Sequence, residues 1–98
     1  MRQYELLVIF PVEEDQHKEG REKLLADLAN NGVEIGKTDE IGDKDLSYEI
    51  DKKRRGKYVL FTVNTDPAKI VNLDRVFKLN TNLLKYLFVK IEGGEKHG

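Results

Sequence analysis

The run Leu6-Leu7-Val8-Ile9-Phe10, closed by Pro11, limits what this chain can fold into more than any other stretch. Five residues are too few for a buried helix, and Val and Ile favour a strand. Alternate side chains of a strand point to opposite faces, so Leu6, Val8 and Phe10 line one face and Leu7 and Ile9 the other. Both faces need cover, which puts this strand near the middle of a sheet. A chain of 98 residues has room for one core and not two.

The rest of the chain supplies the partners of that strand. From about Glu13 to Asn30 the pattern is helical. Glu13, Glu14 and Asp15 crowd the positive end of the helix dipole, and Leu24, Leu25, Leu28 and Ala29 recur at spacings of three and four. Gly20 inside it should weaken the helix by about 1 kcal/mol relative to Ala, and Gly32 suits the left-handed position that ends it. Val33 to Asp51 reads as an extended, broken arm, with Gly36 and Gly42 marking bulges and Leu46, Tyr48 and Ile50 alternating with polar residues. A basic turn, Lys52 to Gly56, then leads into Tyr58-Val59-Leu60-Phe61-Thr62-Val63, so the two segments form a hairpin with a positive tip. Asp66-Pro67 caps a second helix whose inward stripe is Ile70, Leu73, Val76 and Phe77, reaching about Leu79. Leu84 to Ile91 makes the last strand.

Strand, helix, strand, strand, helix, strand is the order of the α+β, ferredoxin-like split β-α-β fold, a four-stranded antiparallel sheet with two helices on one face. Residues 1–92 read as that single domain, and residues 93–98 as a polar, flexible tail. Helices cover only one side of such a sheet, yet Leu7, Ile9, Tyr58 and Leu60 fall on the other, with one or other parity of Leu84 to Ile91. A contiguous apolar patch of this kind marks a protein-partner surface.

Composition excludes more than it assigns. With no cysteine there is no disulfide frame, thiolate nucleophile or thiolate metal site. No apolar run approaches the roughly 20 residues that span a bilayer, and the N-terminus lacks a signal-peptide layout, so the chain reads as cytosolic. No phosphate-cradling glycine loop occurs. His17 and His97 lie far apart without ligand-like companions and read as solvated, and the carboxylates lie in helix first turns and on strand faces where solvation explains them. The reading is of a protein that is not an enzyme, with no cofactor, no metal and no small-molecule substrate. The net charge of −1 is low for a free-standing RNA binder, so any RNA contact must be local or shared with a more basic protein. Five cations stand within Lys52 to Lys57, the strongest electrostatic feature; they read either as a solvated tip that blunts aggregation or as phosphate contacts. The same fold hosts the RNA-recognition motif, but Arg55-Gly56-Lys57-Tyr58-Val59-Leu60 places Lys57 and Val59 where that motif stacks bases on aromatics. The open sheet therefore does not read as a base-stacking platform.

Several segments resemble one family. Arg2-Gln3-Tyr4-Glu5 is similar to an opening Arg-x-Tyr-Glu before an apolar strand and a proline. Gly42-Asp43-Lys44-Asp45-Leu46-Ser47-Tyr48-Glu49-Ile50 follows a Gly-x-x-x-Leu-small-Tyr-Glu-Ile signature, and Arg55-Gly56-Lys57-Tyr58 follows a Gly-x-Tyr start to the third strand. Leu73 to Leu79 and Leu83 to Lys90 match the family's second helix and closing strand. On these residues, in order from Arg2 to about Lys90, the chain resembles the ribosomal protein six family of the bacterial small subunit. Two positions depart from the pattern: Asp43-Lys44-Asp45 stands where the family is commonly basic, and Lys85 where an Arg is usual, keeping the charge without the planar fork.

The resemblance implies a structural constituent of the small ribosomal subunit. It implies binding to the central domain of small-subunit ribosomal RNA as a heterodimer with the basic ribosomal protein eighteen. Carried over position by position, Arg2, Lys52, Arg54, Lys85 and Lys90 are the expected phosphate contacts. Tyr4 and Tyr48 also fall on family positions and are read as core. Two other readings stay open: a small-molecule-sensing or regulatory domain that forms a homodimer through its sheet, and a translation-associated protein that visits ribosomes transiently.

Overall fold

The computed structural model describes residues 1–91; the expected tail 93–98, with His97, lies outside them. The chain forms β1 (Arg2–Phe10), α1 (Glu14–Asn30), β2 (Glu34–Ile50), β3 (Lys53–Thr65), α2 (Pro67–Phe77) and β4 (Lys85–Lys90). The strands make one sheet in the order β2-β3-β1-β4, with every neighbouring pair antiparallel. The expected split β-α-β architecture is present, and β1 lies inside the sheet, as its doubly apolar run requires.

Leu6, Val8 and Phe10 of β1 are fully buried beneath the helices, together with Val59, Phe61 and Val63 of β3. Leu24 and Leu28 of α1 and Leu73 and Phe77 of α2 close the core from above. Each such side chain, once buried, contributes about 1.5–3 kcal/mol. Ala29, expected on the inward face of α1, is exposed, because the stripe turns with the 3.6-residue period and Leu25 is already at its edge. Ile70 and Val76 flank the α2 stripe as expected. That helix ends at Phe77, short of Leu79. The Asp66 carboxylate caps its start by accepting from the Ala68 N–H at 3.0 Å.

Gly20 has a packing reason. A Cβ there would stand 2.2 Å from the carbonyl oxygen of Asn82. The loop before β4 therefore lies directly on α1, and buried Asn80 fastens it by donating to the Gly20 carbonyl at 3.0 Å and accepting from the Asn82 N–H at 3.1 Å. The cost of glycine in the helix is offset by this close approach.

The face of each β4 residue follows from register. Leu6 opposes Phe88 and Val8 opposes Tyr86, so these two aromatics join the helix side. They pack there with Phe77, and Tyr4 meets Phe88 edge-on. The Tyr86 hydroxyl bonds the Asp74 carboxylate on α2; burial, reinforced by that carboxylate, pushes its pKa up to about 12. Leu87 and Val89 are thereby left on the open side.

Candidate nucleic-acid and partner interface

The β2–β3 hairpin differs from its sequence reading at the tip. Its turn is Asp51-Lys52, both in the left-handed region at φ 51° and 65°, with Ile50 paired to Lys53 beneath. Lys53, Arg54, Arg55 and Gly56 are therefore the first residues of β3 and not the turn. A two-residue turn with both φ positive matches the right-handed twist of the strands it joins. The arm below it is irregular: register shifts at Ile35/Lys37 and Glu40/Gly42 bear out the bulges expected at the glycines. A third shift runs from Asp45 opposite Arg55 to Ile50 opposite Lys53, so Leu46 to Glu49 arch out where β3 supplies only Arg54. The alternation of Leu46, Tyr48 and Ile50 is thus not that of a flat strand.

This arch bends over the open side of the sheet. A Cβ on Gly56 would lie 2.3 Å from the Ile9 side chain and 3.3 Å from that of Leu46. Only glycine lets Ile9 and Leu46 close over that point. Ile9 is consequently 5% exposed. It drops out of the expected partner surface because the chain's own arm covers it. Leu7, Tyr58 and Leu60 remain half-buried, while Leu87 at 52% and Val89 at 45% are the most accessible apolar groups that β1, β3 and β4 present on this face. A shallow depression of about 190 Å³ joins Leu7, Ile9, Tyr58, Lys85 and Leu87. The apolar patch is real, but it is centred nearer β4 than the sequence indicated.

Four of the five cations of the basic run are paired. Arg54 pairs with Glu49 at 3.2 Å, Arg55 with Asp45 at 3.3 Å and Lys57 with Asp43 at 2.7 Å, while Lys53 reaches Glu13 at 3.0 Å. Asp43 and Asp45, the acidic departure from the family pattern, are the cross-strand partners of Lys57 and Arg55. The Lys57 ammonium holds the Asp43 carboxyl below its ordinary range. Such exposed pairs contribute about 0–1 kcal/mol each, so a phosphate can compete for the cation.

The five expected phosphate contacts fall into two stations. Lys85 opposes Ile9 at one end of β1, near the arm that carries Lys52 and Arg54. Arg2 opposes Thr65, and Lys90 opposes Tyr4, at the other end. Arg2 and Ile9 are seven residue steps apart along the strand, roughly 23 Å. All five cations are exposed. Arg54 alone of the five is in an ion pair among the described residues.

His17 is not the solvated side chain expected. It packs 5.3 Å from the Phe10 ring and accepts from Arg21 Nε at 3.0 Å. Burial, then the charges of Arg21 and Lys57, pull its pKa below the ordinary value. Arg21 in turn grips Glu40 of β2 with two bonds of 2.7 and 2.8 Å, which holds the Glu40 carboxyl low. These groups tie β2 to α1, and among the described residues no cluster suited to a metal ion occurs. Tyr4, 8% exposed, is core as expected; Tyr48, 71% exposed, is not.

Residues 3–90 match the family model described as ribosomal protein S6. The chain belongs to the ribosomal protein S6 family. It is 53% identical over 92 residues to small ribosomal subunit protein bS6 of Treponema denticola, covering 94% of this chain and 99% of that protein. It is 40% identical over 94 residues to the bS6 protein of Halalkalibacterium halodurans, with the same coverage. Among solved structures, 30S ribosomal protein S6 of Thermotoga maritima superposes with a TM-score of 0.83 at 19% identity, covering 97% of this chain and 92% of that one. The C-terminal domain of MgtC from Mycobacterium tuberculosis superposes with a TM-score of 0.61 at 11% identity, covering 99% and 95%, a likeness of fold alone. As an S6 protein, the chain is a constituent of the small ribosomal subunit and is not an enzyme. Among the described residues no helix is long and apolar enough to cross a membrane.

Proposed function

We propose that this S6 protein is a non-catalytic scaffold that binds the central domain of small-subunit ribosomal RNA as a heterodimer with ribosomal protein eighteen. The observation that carries this reading is the open sheet face, where Leu87 and Val89 are exposed, Leu7 and Leu60 are half-buried, and Lys85 shares a depression with Leu7 and Leu87. An apolar patch rimmed by cations suits a protein partner at its centre and phosphate at its edge. The near-neutral net charge is consistent with a basic partner supplying most of the attraction to RNA.

Phosphate contact is assigned to Lys52 and Lys85 at the arm, with Arg54 after release from Glu49, and to Arg2 and Lys90 at the far station. The two stations fix the orientation of the RNA, and no bond in it is made or broken. Changing Leu87 to Glu should abolish heterodimer formation while leaving the melting temperature within a few degrees, because the side chain touches little of the core. Unchanged heterodimer formation by the folded variant would remove the sheet face as the partner surface.

A further inference from the structure

Tyr48 is the residue of the arm that the fold does not use. It stands on the arch Leu46–Glu49, is 71% exposed, and has neither a ring packed against it nor a cation over its ring among the described residues. By contrast, Tyr4 and Tyr86 are locked against other rings. Large aromatic side chains are ordinarily buried for their apolar area, and the arch holds this one out while its neighbour Leu46 is pegged over Gly56. Both signs of charge border it. Tyr48 shares one depression with Arg54, Asp45 and Glu49, and another with Ile9, Ile50, Tyr58 and Lys85. Lys52 lies in the turn just beyond Ile50.

We infer that Tyr48 is a stacking platform for one unpaired nucleobase, with the flanking phosphates of that nucleotide held by Lys85 and Lys52. An exposed ring bordered by flexible cations is the arrangement by which proteins hold single-stranded nucleic acid, because every base offers a π-face and every linkage a negative charge. The platform stands on the arm; its depression meets that of the apolar patch at Ile9, Tyr58 and Lys85 but does not reach Leu7 or Leu87, which are left to the protein partner. This inference rests on the RNA-binding reading given above.

The test measures two equilibria for wild type, Tyr48→Phe and Tyr48→Ala. One is binding of the heterodimer to a central-domain ribosomal RNA fragment across a salt series; the other is heterodimer formation without RNA. Tyr48→Ala should weaken RNA binding about ten-fold with an unchanged salt slope, since no charge is lost. Tyr48→Phe should bind as wild type, and neither variant should alter heterodimer formation or thermal stability. RNA binding by Tyr48→Ala equal to wild type overturns the platform. So does a loss in heterodimer formation, which would make Tyr48 a protein contact, or a loss in Tyr48→Phe equal to that in Tyr48→Ala, which would mean a hydroxyl contact and not stacking. Failure of the wild-type heterodimer to bind the RNA at all would instead refute the RNA-binding reading, and the platform with it.

Discussion

β1 and β2 belong to the same sheet but are held in it by different forces. In β1, Leu6, Val8 and Phe10 are fully buried and Ile9 nearly so. In β2, seventeen residues long, no residue is buried. What holds β2 beyond its hydrogen-bond ladder to β3 is charge, through Arg21–Glu40, Lys57–Asp43 and Arg55–Asp45, together with the single peg of Leu46 over Ile9. Burial is non-directional and insensitive to salt, whereas exposed pairs are screened and exchangeable. The inner strand therefore sets the shape, and the outer arm presents charge that a polyanion can reorganise.

The largest effect that would break this contrast lies in the core. Phe61→Ala on β3, facing β1, should cost about 3–5 kcal/mol. Ile41→Ala on β2, already 41% exposed, should stay within about 0.5 kcal/mol. Denaturant melts of the two variants measure both. Equal losses would mean that the arm is packed, not tethered.

A smaller effect sharpens the electrostatic half. Replacing Asp43, Asp45 and Glu49 together by their amides frees Lys57, Arg55 and Arg54. Stability should fall by about 1 kcal/mol or less per pair. Binding of the heterodimer to RNA should tighten, with the logarithmic salt slope steeper by up to about 0.9 for each cation that gains a phosphate. An unchanged slope would show that the arm does not meet RNA phosphates.

The smallest effect is in pH. The folded state lowers the His17 pKa below the ordinary 6.5, so between the two values the unfolded chain binds more protons. Stability is then complete above about pH 6.5 and declines as the pH falls from there through the folded value. Glu40, also lowered, from 4.5, adds a second decline at more acid pH. His17→Gln should remove the first decline and leave the second, as thermal melts between pH 7.5 and 4 would show.

Sequence legibility divides along the same line. The apolar run of β1 and the α2 stripe could be read because burial imposes a period on residue type. The arm could not, because its arch is set by a tertiary contact, Leu46 meeting Ile9 over Gly56, that leaves no periodic trace. The same contact explains why Ile9 was expected on the partner surface and Tyr48 in the core. Of the acid–base pairs along the hairpin, only Glu49 and Arg54 stand equidistant from the turn, a readable cross-strand signal; the arch displaces Asp45–Arg55 and Asp43–Lys57 by three residues, which hides them. Leu87 and Val89 could have been placed from their neighbours, since the bulkier Tyr86 and Phe88 claim the covered side. The burial of His17 leaves no trace in the sequence, because only the fold brings Phe10 beneath it.

Sedimentation of the purified protein with small-subunit ribosomal RNA, with and without ribosomal protein eighteen and across a salt series, tests the scaffold most directly. Salt-sensitive association should appear only when the partner is present, with the protein alone monomeric. No association under either condition, together with a stable homodimer, would contradict it.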